Sequence, residues 1–200
     1  MHKQLLASLA PLLAMIAAFA MPSTAQAEPP RHWYSEGKLI VGQAVPVATS
    51  GTLTFDLTQF GVMVTCKVKD SDTITNPPSG APGTDEMTAF TLSGCKVPKG
   101  TVSICKTKIE VIAHGLPWLT HLTSEPPATI RDAIEGIALE FRCKKGTVFG
   151  TVTGTLSPKV GNSVLEFEGG AVLSGPFGVV TVTGIDKLKG PIGDRKITAA

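Results

Sequence analysis

Residues 62–69 read Val-Met-Val-Thr-Cys-Lys-Val-Lys, and this stretch decides the fold class because every second side chain is a valine or a cysteine. Successive side chains of a β-strand point to opposite faces, so this spacing predicts a strand with one buried face. The same period of two recurs over residues 52–58, 105–111 and 137–143. Many short Thr- and Val-rich segments separated by Gly, Pro and Asn are typical of all-β proteins. We therefore predict an antiparallel β-sandwich or a partly closed β-barrel.

The first 27 residues have the composition of a secretory signal peptide. A short basic start at His2 and Lys3 precedes an apolar run over residues 5–21, and Ala25-Gln26-Ala27 is a small-residue cleavage site. No comparable apolar run follows residue 28, so we expect no transmembrane segment after cleavage. The pattern predicts a secreted protein, either extracellular or in the cell envelope.

The four cysteines are best interpreted as two disulfides, because export leads out of the reducing cytosol. Four cysteines allow three pairings, and the sequence alone does not choose among them. Cys95 and Cys105 are close in sequence, which makes a local bridge sterically easy and leaves Cys66 for Cys143. We expect this pairing, and we expect no metal site because the chain lacks paired C-x-x-C ligands.

The rest of the chain is predicted to form an N-terminal arm over residues 28–36 and one all-β domain over 37–200. Residues 76–83 read Asn-Pro-Pro-Ser-Gly-Ala-Pro-Gly, which predicts a long surface loop from Asp70 to Glu86. Helical spacing occurs only over Thr129–Gly136, where an irregular strand is an equal expectation. The formal net charge of +2 gives no reason to expect a nucleic-acid partner.

Candidate catalytic groups are few, and we predict no catalytic residue. His114 and His121 flank Leu116-Pro117-Trp118, but no nucleophile motif accompanies them. Glu166 and Glu168 stand two apart, which places both on one strand face, opposite Leu165 and thus toward solvent. Acid pairs on a solvent face are commoner than active sites.

Acidic residues around the predicted loop could also bind calcium. Their spacing does not follow the calcium-binding helix-loop-helix pattern, so we interpret them as solvated loop acids and expect no cofactor. They are Asp70, Asp72, Asp85 and Glu86.

Trp118 is expected to be a buried plug at the end of a sheet, and the alternative is an exposed aromatic that contacts a ligand. In that alternative His114 and His121 would be the other contact residues.

The chain resembles a group of uncharacterised secreted bacterial proteins in the order of several short elements. These are Trp33-Tyr34 with Gly37, Thr65-Cys66, Ser93-Gly94-Cys95, Leu116-Pro117-Trp118, Cys143 and the segment Val182–Pro191. The resemblance implies export and a cysteine-braced β domain, and it implies no activity or ligand.

The functional expectation is a secreted, non-enzymatic β-scaffold that binds an extracellular polymer, a surface or a small ligand. Two alternatives stay open. One is a small secreted hydrolase that uses Glu166, Glu168 or the histidines. The other is a carrier of an apolar small molecule with Trp118 at a barrel mouth.

Overall fold

The computed structural model describes residues 29–97, 105, 108–125, 128–144, 146–176, 178–190 and 197–200. The predicted signal peptide lies outside these residues. The described chain forms strands and one 3-10 turn, Thr58–Phe60. The strands are β1 (Trp33–Ser35), β2 (Lys38–Leu39), β3 (Val45–Leu57), β4 (Val62–Thr75), β5 (Thr84–Lys96), β6 (Ile109–His114), β7 (Trp118–Glu125), β8 (Thr129–Cys143), β9 (Val148–Leu156), β10 (Lys159–Val160), β11 (Val164–Gly175), β12 (Gly178–Lys189) and β13 (Ile197–Ala199).

Eight of these strands close into an antiparallel β-barrel, which confirms the predicted all-β class and selects the barrel over the sandwich. The order around the wall is β3, β4, β5, β7, β8, β9, β11 and β12, and β12 pairs with β3 to complete the circle. The short strand β6 pairs with β8 in line with β7, and β10 bridges β8 and β11 in line with β9. Closure removes the exposed sheet edges that a sandwich would have to protect.

One half of the barrel interior is filled with apolar side chains. The inner faces contribute Leu53, Phe55, Leu57, Val62, Val64, Leu139, Phe141, Val152, Leu173, Val180 and Val182, all completely buried. Phe55 and Phe141 meet edge to face across the barrel with their ring centroids 5.6 Å apart. An eight-stranded barrel is just wide enough for side chains to fill it. The alternation over residues 62–68 and 137–143 therefore predicted these inward faces.

The disulfides join Cys66 to Cys95 and Cys105 to Cys143, so the predicted pairing is wrong. Cys66 lies on β4 and Cys95 on β5, which are neighbours in the wall and bring the two Cα atoms to 4.0 Å. The second disulfide fixes the chain ahead of β6 to β8, its partner strand. Strand adjacency decides the pairing, whereas the prediction used nearness in sequence.

Two further boundaries differ from the prediction. The loop expected over Asp70–Glu86 spans only residues 76–83, because β4 continues to Thr75 and β5 begins at Thr84. Residues 129–136 belong to strand β8, where a change of register near Gly136 interrupts the regular alternation.

The N-terminal arm closes one end of the barrel. Its strand β1 pairs with the C-terminal β13 on one side and with β2 on the other, and we call these three strands the cap. Trp33 of β1 is 1% exposed. The side chain of Asn76 holds the cap, because it accepts a hydrogen bond from Trp33 N (2.7 Å) and donates to Trp33 O and Ile40 O (2.8 and 2.9 Å).

Replacing Asn76 with alanine is expected to lower the free energy of unfolding by about 2–4 kcal/mol, because it removes three buried hydrogen bonds and leaves Trp33 N and Ile40 O without the partner that Asn76 supplies. Urea unfolding measures the difference. The exposed Asn162→Ala is the matched control and should change stability by less than about 0.5 kcal/mol. Equal effects of the two substitutions would show that Asn76 does not hold the cap.

Candidate functional site

The histidines proposed as ligand contacts lie on the outer wall, and each faces a different glutamate. His114 at the end of β6 has its Nε2 3.2 Å from Glu140 Oε2, and His121 on β7 has its Nδ1 3.9 Å from Glu135 Oε1. Both imidazoles are about half exposed, at 50% and 42%. Exposed pairs of this kind contribute little to stability.

Trp118, which lies between these histidines in the sequence, is buried, with 2% of its surface exposed. Its ring lies 5.2 Å from that of Phe90, and its Nε1 donates a hydrogen bond to His114 O at 3.0 Å. A satisfied N–H and an aromatic neighbour are the usual environment of a tryptophan in a core. The structure places Trp118 in the core, away from the surface where the two imidazoles lie.

Glu166 and Glu168 lie on the outer face of β11, as the alternation predicts. Lys159 Nζ is 3.7 Å from Glu166 and 3.9 Å from Glu168, and Arg131 is 3.7 Å from Glu168. Arg131 also pairs with Glu125. These contacts form a surface ion-pair network.

The acids assigned to the predicted loop are in fact strand residues, and three of them face the barrel interior. Asp70 and Asp72 on β4 and Asp85 on β5 are 5%, 4% and 7% exposed, so their assignment as solvated loop acids is wrong. Glu86 alone points outward and is exposed. The inward face of Val62–Val68 continues in steps of two through Asp70 and Asp72. That alternation was visible in the sequence, but the predicted loop ended it too early.

Two more aspartates join these three inside the barrel. Asp132 on β8 and Asp186 on β12 are 2% and 1% exposed. The five aspartates, with the buried Thr49 and Thr120, follow each other around the inner wall, and we call this set the aspartate belt. Sequence analysis missed Asp132 and Asp186, although Asp186 stands in step with Val182 and Leu188.

Threonine hydroxyls connect neighbouring members of the belt. Thr120 Oγ1 lies 2.7 Å from Asp132 Oδ1 and also contacts Asp85, and Thr49 Oγ1 donates to Asp186 Oδ2 at 2.7 Å. The carboxyl group of Asp70 lies beside those of Asp72 and Asp186, and that of Asp85 lies beside that of Asp132. A hydrogen bond between two carboxyl groups requires a proton on one of them.

Burial raises the pKa of every carboxyl group in the belt. It brings the pKa of Asp85 to about 6, and together with the charge of Asp70 it brings those of Asp186 and Asp72 to about 8 and about 11. Burial likewise raises the pKa of Asp70 and, reinforced by the charge of Asp85, that of Asp132. Within the described part of the chain no basic side chain contributes to these shifts, so protonation neutralises the belt.

Stability is therefore expected to fall as the pH rises. Unfolded aspartate has a pKa of about 3.9, so between pH 4 and the higher folded pKa values the folded chain holds protons that the unfolded chain has lost. The stabilisation is complete below about pH 4 and declines as the pH passes the pKa of Asp85, about 6, and of Asp186, about 8. Urea unfolding at a series of pH values measures this slope, and a stability that rises from pH 5 to 8 would contradict it.

An open cleft of about 380 Å³ lies on the outer wall near both disulfides. Its lining includes Cys95 and three exposed lysines, Lys96, Lys108 and Lys144. Glu110 also lines the cleft, but Arg142 Nε lies 3.2 Å from its carboxylate. Among the described residues, the lysines therefore carry the uncompensated charge of this cleft.

Within the described ranges, no three Asp, Glu, His or Cys side chains are arranged to hold a metal ion. In the same residues no helix is long and apolar enough to cross a membrane. Comparisons of the chain with protein-family models, with curated proteins and with solved structures found no match.

Proposed function

We propose that this chain is an exported, non-enzymatic binding protein that uses the outer wall of its disulfide-braced barrel. The observation that carries the proposal is the separation of its reactive groups. His114 and His121 pair with different glutamates on the outer wall, while the belt carboxyl groups are closed inside the barrel. Catalysis needs a nucleophile and a base, or two carboxylates, that converge on one accessible point. The signal peptide predicted from the sequence and the two disulfides support export.

The lysine-lined cleft favours an acidic extracellular polymer as the partner. Three ammonium groups around one open cleft of about 380 Å³ attract carboxylate or phosphate groups. The apolar-carrier alternative has weaker support. In the part of the chain that the structure describes, large side chains fill the apolar half of the barrel, where such a ligand would bind.

Binding of fluorescein-labelled polyglutamate, followed by fluorescence anisotropy, tests the proposal, with labelled neutral dextran as the reference polymer. The affinity for polyglutamate should fall as salt is added, since the lysines are exposed. The double substitution Lys96→Ala/Lys108→Ala should weaken binding about tenfold or more, on the basis of roughly 1 kcal/mol for each contacting charge.

The control is Lys187→Ala, which removes an exposed lysine from β12, away from the cleft. Equal losses in the cleft and control variants would reject the cleft as the site. A hydrolytic activity that disappears on His114→Ala, His121→Ala or Glu168→Gln would reject the non-enzymatic role itself.

A further inference from the structure

The aspartate belt lies one side-chain layer below the cap. On three of the strands the next inward residue toward the cap end is apolar: Ile74 follows Asp72, Leu122 follows Thr120, and Leu188 follows Asp186. The backbone at this end also holds the segment that leads into the cap, since Gly83 N donates to Arg31 O at 2.7 Å and Leu122 N donates to Gly83 O at 2.8 Å. The belt and the cap are therefore adjacent layers, and the charge of the belt acts on the packing of the cap.

Several carboxyl oxygens of the belt are buried without a hydrogen-bond partner among the described residues. They are one oxygen each of Asp70, Asp72 and Asp186. A neutral carboxyl group tolerates this environment at a modest cost, but a carboxylate needs water or a cation. When the belt carboxyl groups lose their protons, water must therefore enter the barrel to hydrate the carboxylates.

The cap end is the easier route for that water. The opposite half of the interior is filled by completely buried side chains such as Phe55 and Phe141. The cap is built from strands of only three, two and three residues, and Asn76 supplies three of its hydrogen bonds. Short elements with few hydrogen bonds open at lower free energy than long core strands.

The charged groups on the wall strands around the belt point away from it. On the wall strands that carry the belt, outward positions near it hold Lys67, Lys69, Glu86, His121, Arg131, Glu135, Lys187 and Lys189. In and beside the cap, Arg31 and His32 are half-buried, and Glu36 and Lys38 are exposed. The charges that raise the pKa values inside the belt come from its own members.

We propose that the shared protons of the belt hold the cap in place, so that the cap seals the barrel in acidic surroundings and detaches when the belt ionises. Repulsion between the new carboxylates and their hydration then favour an open barrel end. This response does not depend on the polymer-binding role, because the lysine-lined cleft and the cap are formed by different residues.

Hydrogen exchange followed by mass spectrometry tests the cap directly, on the mature chain in EDTA between pH 5 and 8.5. After correction for the pH dependence of intrinsic exchange, protection of peptides covering 29–40 and 197–200 should fall at least about tenfold. Peptides covering the apolar half, such as 137–141, should keep their protection. An unchanged cap, or an equal loss in every strand, would overturn the proposal.

Neutral substitutions separate the belt from other titrating groups. Asp186→Asn and, independently, Asp85→Asn replace a carboxyl group by an amide that does not ionise, and each should reduce the pH-dependent loss of cap protection or move it to higher pH. The control Asp56→Asn makes the same change at an outward position of β3 and should behave as the wild type. A wild-type response in either belt variant that folds would reject the proposal. If neither folds, the exchange profile of the wild-type chain alone decides it.

Addition of calcium tests whether the belt binds a cation in place of protons. If the proton is the operative ligand, 2 mM CaCl₂, about twenty times a weak-site Kd of order 10⁻⁴ M, should leave cap protection at pH 8.5 unchanged. Restoration of protection by calcium, reversed by EDTA, would overturn the proton mechanism and identify the belt as a cation site.

Discussion

Replacing Cys105 and Cys143 with alanine is expected to lower the free energy of unfolding by about 4 kcal/mol. The disulfide closes a segment with a sequence separation of 38 residues, and in the loop-entropy model a bridge of this span restricts the unfolded chain by that amount. The Cys66–Cys95 bridge, with a separation of 29, should contribute nearly as much. Small domains are stable by only about 5–15 kcal/mol, so loss of both bridges should leave the barrel marginal or unfolded.

Urea unfolding of the two double-alanine variants and of the reduced wild type measures these losses. Peptide mapping without reductant is the necessary control, because the stability argument depends on the pairing. Fragments that link Cys66 to Cys95 and Cys105 to Cys143 are expected. A fragment that links Cys66 to Cys143 would contradict both the architecture and the estimate.

Replacing Trp118 with alanine is expected to destabilise the fold by about 3–5 kcal/mol, the usual cost of removing a large buried aromatic. The ring is 2% exposed and packs against Phe90, so its removal leaves a cavity at the start of β7. Its neighbour Leu119 is 64% exposed on the same strand. Leu119→Ala is therefore the matched control and should change stability by less than about 0.5 kcal/mol.

Thermal or urea unfolding of the two variants gives the comparison. The result also separates the two interpretations of Trp118 made from the sequence. Removal of a core residue lowers stability. Removal of an exposed ligand contact lowers the affinity for the ligand and leaves the unfolding curve unchanged. If the Trp118→Ala protein were as stable as the wild type but bound the polymer more weakly, Trp118 would be a ligand contact and not a core residue.

For Asp70 and Asp72 of the belt, the alternation along the strand and the composition of the neighbouring segment lead to opposite predictions. The two-residue period over Val62–Val68 continues without a break into Asp70 and Asp72, and by that rule both point inward. Composition favoured the opposite conclusion, because aspartates beside a Pro- and Gly-rich segment usually lie in solvated loops. Buried carboxyl groups that break the usual rule are expected where a protein has a function to serve.

The sequence by itself determined the all-β class, the inward faces of the strands and the outward position of Glu166 and Glu168. These properties depend on the alternation of side chains along a single strand, which is local. Only the tertiary structure decided the closure of the barrel, the pairing of the cysteines and the meeting of five aspartates from four strands. Each of these depends on which strands are neighbours across the wall, and hydrogen bonds between strands distant in sequence leave no local periodicity to read.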